Sequence, residues 1–218
     1  MLNDILQFNN GNNSIVEFAD CIRQEKNLAV FGVNESFKNY LVSIIDRKVL
    51  FIVKDLLTAR NYQTLLEEMS NKKVVVLPCR DEVLIPLKAF SKDTYFERII
   101  ALSKLSEADI VIVTMETLLQ PCMAIEEDLS LEKGQNIEIP TLVEKLVALG
   151  YCRCETVESK GFFSVRGDIV DIFPISSLVP FKIDFFGDEI ESIKQYDLDT
   201  RKTVAFVTKI NISSSKES

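Results

Sequence analysis

Histidine is absent from the 218 residues, and its absence narrows the chemistry open to this chain. Histidine is the commonest metal ligand and a frequent general base near neutral pH. Ser-His-Asp and Cys-His catalysis are therefore excluded within this sequence. We find no other catalytic constellation in it, so we expect neither a catalytic residue nor a bound metal ion.

Long apolar runs are also absent. No stretch approaches the roughly 18 consecutive apolar residues that a membrane span requires. The start, Met-Leu-Asn-Asp, lacks the basic and apolar regions of a signal peptide. Among the five cysteines, Cys152 and Cys154 form a CxC pair without a second pair, which favours buried free thiols over a metal site. We expect a cytoplasmic protein without a membrane segment.

Basic residues are scarce in the middle of the chain. Residues 123–196 carry 7 basic and 14 acidic side chains, a net charge of −7. Residues 1–122 carry 14 basic and 16 acidic side chains, a net charge of −2. Residues 197–218 carry 4 basic and 3 acidic side chains, a net charge of +1. Nucleic acids are bound largely by neutralising their phosphates with Lys and Arg. We therefore expect no direct binding of nucleic acid.

The first half of the chain alternates short apolar runs with amphipathic stretches. Apolar runs without alternation are typical of strands covered on both faces, so this half predicts a βαβ series on a parallel sheet. The predicted strands are Leu28–Phe31, Val49–Val53, Val74–Leu77 and Ile110–Thr114, and the predicted helices are Glu35–Ile45, Leu56–Ser70 and Thr94–Leu105.

The pattern changes near residue 121. A helix is predicted from Pro140 to Leu149, with Gly150 as its stop. Strands without helices between them are predicted around it, over Ile125–Leu131, Tyr151–Val157, Phe162–Val165, Ile169–Phe173, Phe181–Phe186 and Glu189–Tyr196.

We therefore predict an α/β fold of two domains. Residues 1–121 form a P-loop-NTPase-like parallel-sheet domain, and residues 122–196 form a smaller α+β domain of antiparallel hairpins and one helix. Residues 197–218 are expected to return toward the first domain and to end in a loose polar tail.

A phosphate-binding loop would lie after the first predicted strand, where the chain reads Gly32-Val-Asn-Glu-Ser-Phe37-Lys38-Asn39. Such a loop requires G-x-x-x-x-G-K-[ST]. Gly32 and Lys38 are in register, but Phe37 replaces the second glycine and Asn39 the metal-binding hydroxyl. The loop is degenerate, and we expect no bound nucleotide or other cofactor.

Two hairpins follow the helix, with turns at Gly167-Asp168 and Gly187-Asp188. Period-two alternation places Phe181, Ile183 and Phe185 on the core face. Phe186 then lies on the polar face with Lys182. It either covers the rim of a neighbouring strand or, beside Arg166 and Lys182, forms a protein-binding hot spot.

The stretches Gly161–Pro174 and Phe181–Ile193, followed by Tyr196-Asp197-x-Asp199-Thr200, resemble the UvrB-homology module of bacterial transcription-repair coupling factors. UvrB shares the R-G-D-hydrophobic and F-F-G-D-E-I elements. UvrB keeps a functional P-loop, so the degenerate Gly32–Asn39 loop favours the coupling factors. The resemblance covers essentially the whole chain and corresponds to their domains 1a, 2 and the start of 1b.

The resemblance implies a partner and a site. In the family, domain 2 binds UvrA through an Arg, a second basic residue and a Phe, which fall on Arg166, Lys182 and Phe186 here. Arg is usual at the position of Lys182, and a Lys loses the bidentate geometry. The family's C-terminal domains, which carry an ATP-driven DNA translocase, are a possible second partner that masks this face. The alternative function is a UvrB-like nucleotide-dependent helicase fragment.

Overall fold

The computed structural model describes residues 13–80, 92–122 and 128–217. In chain order the helices are α1 (Asn13–Arg23), α2 (Glu35–Ser43), α3 (Leu56–Met69), α4 (Lys92–Lys104), α5 (Met115–Leu119) and α6 (Ile139–Ala148). The strands are β1 (Val49–Val53), β2 (Val74–Leu77), β3 (Ile110–Thr114), β4 (Leu129–Glu132), β5 (Cys152–Arg153), β6 (Phe162–Arg166), β7 (Ile169–Phe173), β8 (Phe181–Phe186), β9 (Glu189–Tyr196), β10 (Thr203–Val207) and β11 (Lys209–Ile212).

The chain divides into two compact units. The first comprises Met1–Arg80 and Lys104–Gln120, and the second comprises Asp81–Ser103 and Pro121–Ser218. The sequence assigned α4 to the first domain, but nearly all of this helix groups with the second unit. Among its described residues the second unit thus contains two helices, α4 and α6, where the sequence predicted one.

The first unit contains a parallel sheet with the strand order β1-β3-β2. All three strands have the bounds that their apolar runs predicted. Helix α3 begins where the Asp55 side chain accepts a hydrogen bond from the Thr58 amide, and it buries Ala59, Tyr62 and Leu66 against the sheet. This confirms a mixed α/β architecture, although likeness to a P-loop enzyme stays a prediction.

The predicted strand Leu28–Phe31 is wrong. These residues have no regular secondary structure, and the side chain of Phe31 is 88% exposed. A strand requires a neighbouring strand to satisfy its backbone groups as well as an apolar sequence. The parallel sheet that the structure describes pairs only β1, β2 and β3, so residues 28–31 lack that neighbour.

The second unit is built on a six-stranded sheet with the order β10-β9-β8-β7-β6-β5. Its pairs are antiparallel except for β5 with β6. Helix α6 packs Leu142 and Leu146 against one face of this sheet, together with Ile172, Ile183 and Ile193. Strands β6 to β9 were predicted to within one residue, whereas β5 is much shorter than Tyr151–Val157.

The chain end differs from its prediction. Residues 197–218 were expected to return toward the first domain, but β10 pairs with β9 and β11 pairs with β4, all within the second unit. Ser213, Ser214 and Ser215 are buried, and the Ser215 amide donates to the Leu149 carbonyl at 2.7 Å. The hydroxyls of Ser214 and Ser215 also donate to the Leu149 carbonyl at the end of α6, whereas the Ser213 hydroxyl donates to the side chains of Asp128 and Ser176.

Two further predictions are only partly covered by the described residues. The strand Ile125–Leu131 is found as β4, and residues 125–127 of that prediction lie outside the described ranges. Within 13–80, 92–122 and 128–217, no helix is long and apolar enough to cross a membrane.

Candidate docking surface

The face of the six-stranded sheet opposite α6 carries the predicted partner-binding residues, and we call it the outer face. In the register of the strands, Ser164 lies opposite Asp171, Asp171 opposite Lys182, and Lys182 opposite Lys194. These side chains therefore form one row across β6 to β9. The residues that register places on the outer face include Ser164, Arg166, Ile169, Asp171, Lys182, Asp184, Phe186, Glu189, Ser192, Lys194, Tyr196 and Phe206.

Arg166 and Phe186 lie at the same end of this sheet. Each precedes a two-residue Gly-Asp turn, and Gly167 and Gly187 have φ of +58° and +61°. A glycine with positive φ at the first central position is characteristic of type II′ hairpins. Because β7 begins beside the end of β8, with Ile169 opposite Asp184, both turns reach the same edge.

The Arg166 guanidinium is held by a buried carboxylate. Its Nη2 donates to Asp171 Oδ2 at 2.6 Å, while the Arg166 side chain stays exposed and Asp171 is buried. One side of the guanidinium is thus fixed to the sheet, and its other donors face outward. Charge-assisted bonds of this kind pre-organise an arginine for a partner.

Lys182 is half-buried and lies over an aromatic ring. Its Nζ is 5.6 Å from the centre of the Tyr196 ring, and the Arg201 guanidinium carbon is 5.7 Å from that ring. Both distances are within the range of cation–π attraction. Within the described chain, neither cation forms a salt bridge, so both charges are available to an anionic partner.

The Phe186 side chain is 79% exposed. The alternation of β8 is as expected, with Phe181, Ile183 and Phe185 buried and Lys182 and Asp184 half-buried. A ring this exposed covers little of a neighbouring strand, which favours the hot-spot interpretation over the rim-covering one. The structure thus places Arg166, Lys182 and Phe186 on one face, as the alternation predicted.

A second polar cluster on the outer face was not predicted. Lys194 Nζ is 2.7 Å from Asp184 Oδ2, and the Ser192 hydroxyl donates to the same oxygen at 2.5 Å. Burial alone would raise the pKa of Asp184, but the bonds from Lys194 and Ser192 hold that pKa below its usual value. The sequence could have indicated this cluster, because Ser192 and Lys194 are two residues apart on β9 and therefore lie on the same face of the strand.

The degenerate phosphate loop lies beside a groove of about 700 Å³, lined by residues that include Glu35, Lys38, Asn39 and Tyr62. Lys38 Nζ donates to Glu35 Oε1 at 2.6 Å, and the Tyr62 hydroxyl donates to Glu35 Oε2. The bond from Lys38, followed by that from Tyr62, lowers the pKa of Glu35. Burial and the bond to Glu35 raise the pKa of Tyr62 to about 12.

This arrangement gives Lys38 an anionic partner within its own helix. Phe37, in place of the second glycine, packs against the cluster of Ile15, Tyr40 and Leu41. Gly32 has a φ of +73° but follows no strand. Lys38 is therefore paired with a carboxylate, and the Phe37 ring belongs to the core.

The cysteines are less buried than expected. Cys152 is exposed, as is Cys122, and Cys154 is half-buried, with its Sγ donating to the Phe163 carbonyl at 3.3 Å. Burial raises the pKa of the Cys154 thiol. No group of three or more potential metal ligands occurs within the described parts of the chain.

Comparison with known proteins defines the class of the second unit. Residues 129–217 match the UvrB interaction domain family. The chain is 32% identical over 193 residues to the transcription-repair-coupling factor of Haemophilus influenzae, 26% over 188 residues to that of Bacillus subtilis and 29% over 172 residues to that of Escherichia coli.

These alignments cover 85%, 83% and 75% of the chain but only 16%, 16% and 15% of the respective relatives. The chain thus spans about one sixth of the length of the curated relatives that it matches. It belongs to the transcription-repair-coupling factor family, in which it corresponds to the UvrB-homology module.

Proposed function

We propose that this chain is a docking module that recruits UvrA and thereby links a stalled RNA polymerase to nucleotide excision repair. The observation that carries the proposal is the exposure of Phe186 at the same end of the outer face as the anchored guanidinium of Arg166. Aromatic and arginine side chains in this arrangement are typical of interface hot spots.

Family membership supports the proposal. The matched family is described as an interaction domain, and it covers β6 to β9 and therefore all three candidate residues. We infer that the longer relatives couple this module to an ATP-dependent DNA translocase in the parts that the chain does not match. Partner recognition, not catalysis, is the role assigned to the present residues.

Binding of purified UvrA to the chain and to Phe186→Ala tests the proposal. Truncating a hot-spot aromatic weakens binding by roughly 2 kcal/mol or more, which is about 30-fold in Kd. Val147→Ala is the matched control, because Val147 is exposed on α6, on the opposite side of the sheet. Equal UvrA affinity for Phe186→Ala and wild type would refute the assignment.

Lys182→Arg gives a test that loss of folding cannot mimic. The substitution introduces the planar, bidentate side chain that is usual in the family at this position. We expect tighter UvrA binding, with the increase abolished when Phe186→Ala is added. A weaker or unchanged affinity of the Lys182→Arg variant would remove Lys182 from the contact.

The proposal also makes this segment non-catalytic and free of nucleotide. Glu35 occupies Lys38, and a carboxylate repels phosphate, so we expect no saturable heat of Mg-ATP binding in calorimetry at concentrations up to about 1 mM. Saturable binding that Lys38→Met abolishes would instead support the UvrB-like nucleotide-dependent alternative.

A further inference from the structure

A half-satisfied carboxylate is buried in the middle of the outer face. Asp171 is 2% exposed, and among the described residues its side chain accepts a hydrogen bond only from Arg166, at Oδ2. Its Oδ1 has no hydrogen-bond partner in the described chain, nor has the buried hydroxyl of Ser164, which lies opposite Asp171 in the register. A buried carboxylate with one oxygen unpartnered costs stability. We therefore looked for its contribution in the side chains that it orients.

Asp171 sets the direction of the Arg166 side chain. Ile169 lies opposite Arg166 in the register, and Asp171 lies two residues farther along β7. The guanidinium therefore reaches Asp171 along a diagonal of about 7–8 Å, toward the middle of the outer face. A competing carboxylate, Asp168, lies two residues from Arg166 in the hairpin turn, is exposed and forms no salt bridge within the described residues. Without Asp171, Arg166 could turn toward Asp168 and away from the middle of the sheet.

Asp171 also faces the second candidate cation. Lys182 lies directly opposite Asp171 on β8, where paired Cβ atoms are about 4.5–5.5 Å apart. The Tyr196 ring, over which Lys182 lies, is a neighbour of both residues. Burial and, after it, the charge of Asp171 raise the pKa of Tyr196. Since β7 lies between β6 and β8, this one carboxylate lies between the strands that carry Arg166 and Lys182.

We propose that Asp171 is a positioning residue of the docking surface, which makes no contact with UvrA and raises the affinity by holding the Arg166 guanidinium toward Lys182. This rests on the proposed function and adds a residue to its site. Because Asp171 is buried, a partner meets only the side chains that it orients. An arginine that is already oriented loses less conformational freedom on binding, and this pre-organisation strengthens binding.

A double-mutant cycle in UvrA binding by the whole chain tests the proposal. Asp171→Asn keeps the size of the side chain but removes the charge that holds Arg166, and we expect the Kd to rise about 10-fold. In the Arg166→Gln background the same substitution should change the Kd by less than about 2-fold, because no guanidinium is left to orient. Asp184→Asn is the matched control, since its carboxylate binds Lys194, and it should show no coupling to Arg166→Gln.

The outcomes separate positioning from other roles of the carboxylate. Equal losses from Asp171→Asn with and without Arg166 would show a general effect on the sheet and overturn the inference. Tighter binding by Asp171→Asn would show that Asp171 only masks the charge of Arg166, which also overturns it. Thermal unfolding of each variant reports whether the sheet is intact. Asp171→Ser, which buries no amide, repeats the cycle if Asp171→Asn does not fold.

The same measurements separate this inference from the proposed function. Weak binding by Phe186→Ala together with normal binding by Asp171→Asn overturns the positioning role and leaves the proposed function in place. Absence of UvrA binding by the wild-type chain overturns both.

Discussion

The Arg98 guanidinium donates from Nε to Glu217 Oε1 at 2.7 Å, and the two side chains are 0% and 4% exposed. This ion pair joins α4 to the end of the chain within the second unit, across 119 residues of sequence. Two charges removed from water in this way are stable only as a pair.

We expect Arg98→Met to lower the free energy of unfolding of the second unit by about 3–5 kcal/mol, because it removes the guanidinium that faces a buried carboxylate. The double variant Arg98→Met/Glu217→Met should recover much of that loss, since no charge is then buried. Denaturant unfolding at neutral pH measures both effects.

An exposed pair in the same unit is the control. Lys209 Nζ lies 2.6 Å from Glu132 Oε1, yet both side chains are more than half exposed. Lys209→Met should therefore change the free energy of unfolding by about 1 kcal/mol or less. Similar losses for Arg98→Met and Lys209→Met would contradict the assignment of the difference to burial.

Tyr151 provides a second tie to the chain end. Its buried hydroxyl donates to the Ser213 carbonyl at 2.9 Å and accepts from the Ile175 amide at 3.3 Å. Tyr151→Phe leaves both backbone groups without this partner, so we expect a loss of about 1–3 kcal/mol in the free energy of unfolding and faster proteolysis after Ile212. An unchanged proteolysis rate would show that Ser213 is held by other contacts.

The strands were predictable where the strand they pair with is adjacent in the sequence. The residues of β7, β8 and β9 alternate between core and outer face, and Gly-Asp turns fix their pairing, so their bounds and faces follow from the sequence. The common face of Lys182 and Phe186 follows from the same alternation. Arg166 follows in the same way, because Ser164 and Arg166 alternate with Phe163 and Val165 along β6.

Long-range partners were not predictable. Leu28–Phe31 has the composition of a strand, but whether it pairs depends on residues distant in sequence. The serines at 213–215 look like a loose linker by composition, yet Leu149 at the end of α6 accepts hydrogen bonds from Ser214 and Ser215, and Asp128 accepts one from Ser213. Phe206 was missed for the same reason, because only its register with Lys194 places it on the outer face.

Two independent features of the structure disfavour any side chain at Gly161. Its φ is +82°, and a Cβ there would lie 2.8 Å from Cζ of Phe96. Gly161→Ala should lower the free energy of unfolding by about 1–3 kcal/mol through backbone strain and the displaced ring.

Gly134 separates the two causes, because its φ is +83° but no atom lies within 4 Å of its would-be Cβ. Gly134→Ala should show the backbone strain alone and a smaller loss of stability. If the two variants lose equal stability in denaturant unfolding, the Phe96 contact contributes nothing.

Asp184 should make the stability of the outer face depend on pH. Burial opposes its charge, but the bonds from Lys194 and Ser192 hold its pKa below the usual value near 3.8 in the folded state. A carboxyl group with a lowered folded-state pKa stabilises the fold above its unfolded pKa, and that stabilisation is lost as the pH falls through the folded pKa.

Wild type should therefore exceed Asp184→Asn in free energy of unfolding at pH 7, and the difference should close as the pH falls below about 4. Lys194→Gln removes the strongest bond that lowers this pKa, so it should shrink the same difference and move its closure to higher pH. Denaturant unfolding from pH 7 to pH 3 measures both. A difference between wild type and Asp184→Asn that persists at pH 3 would show that the side chain acts through packing and not through its charge.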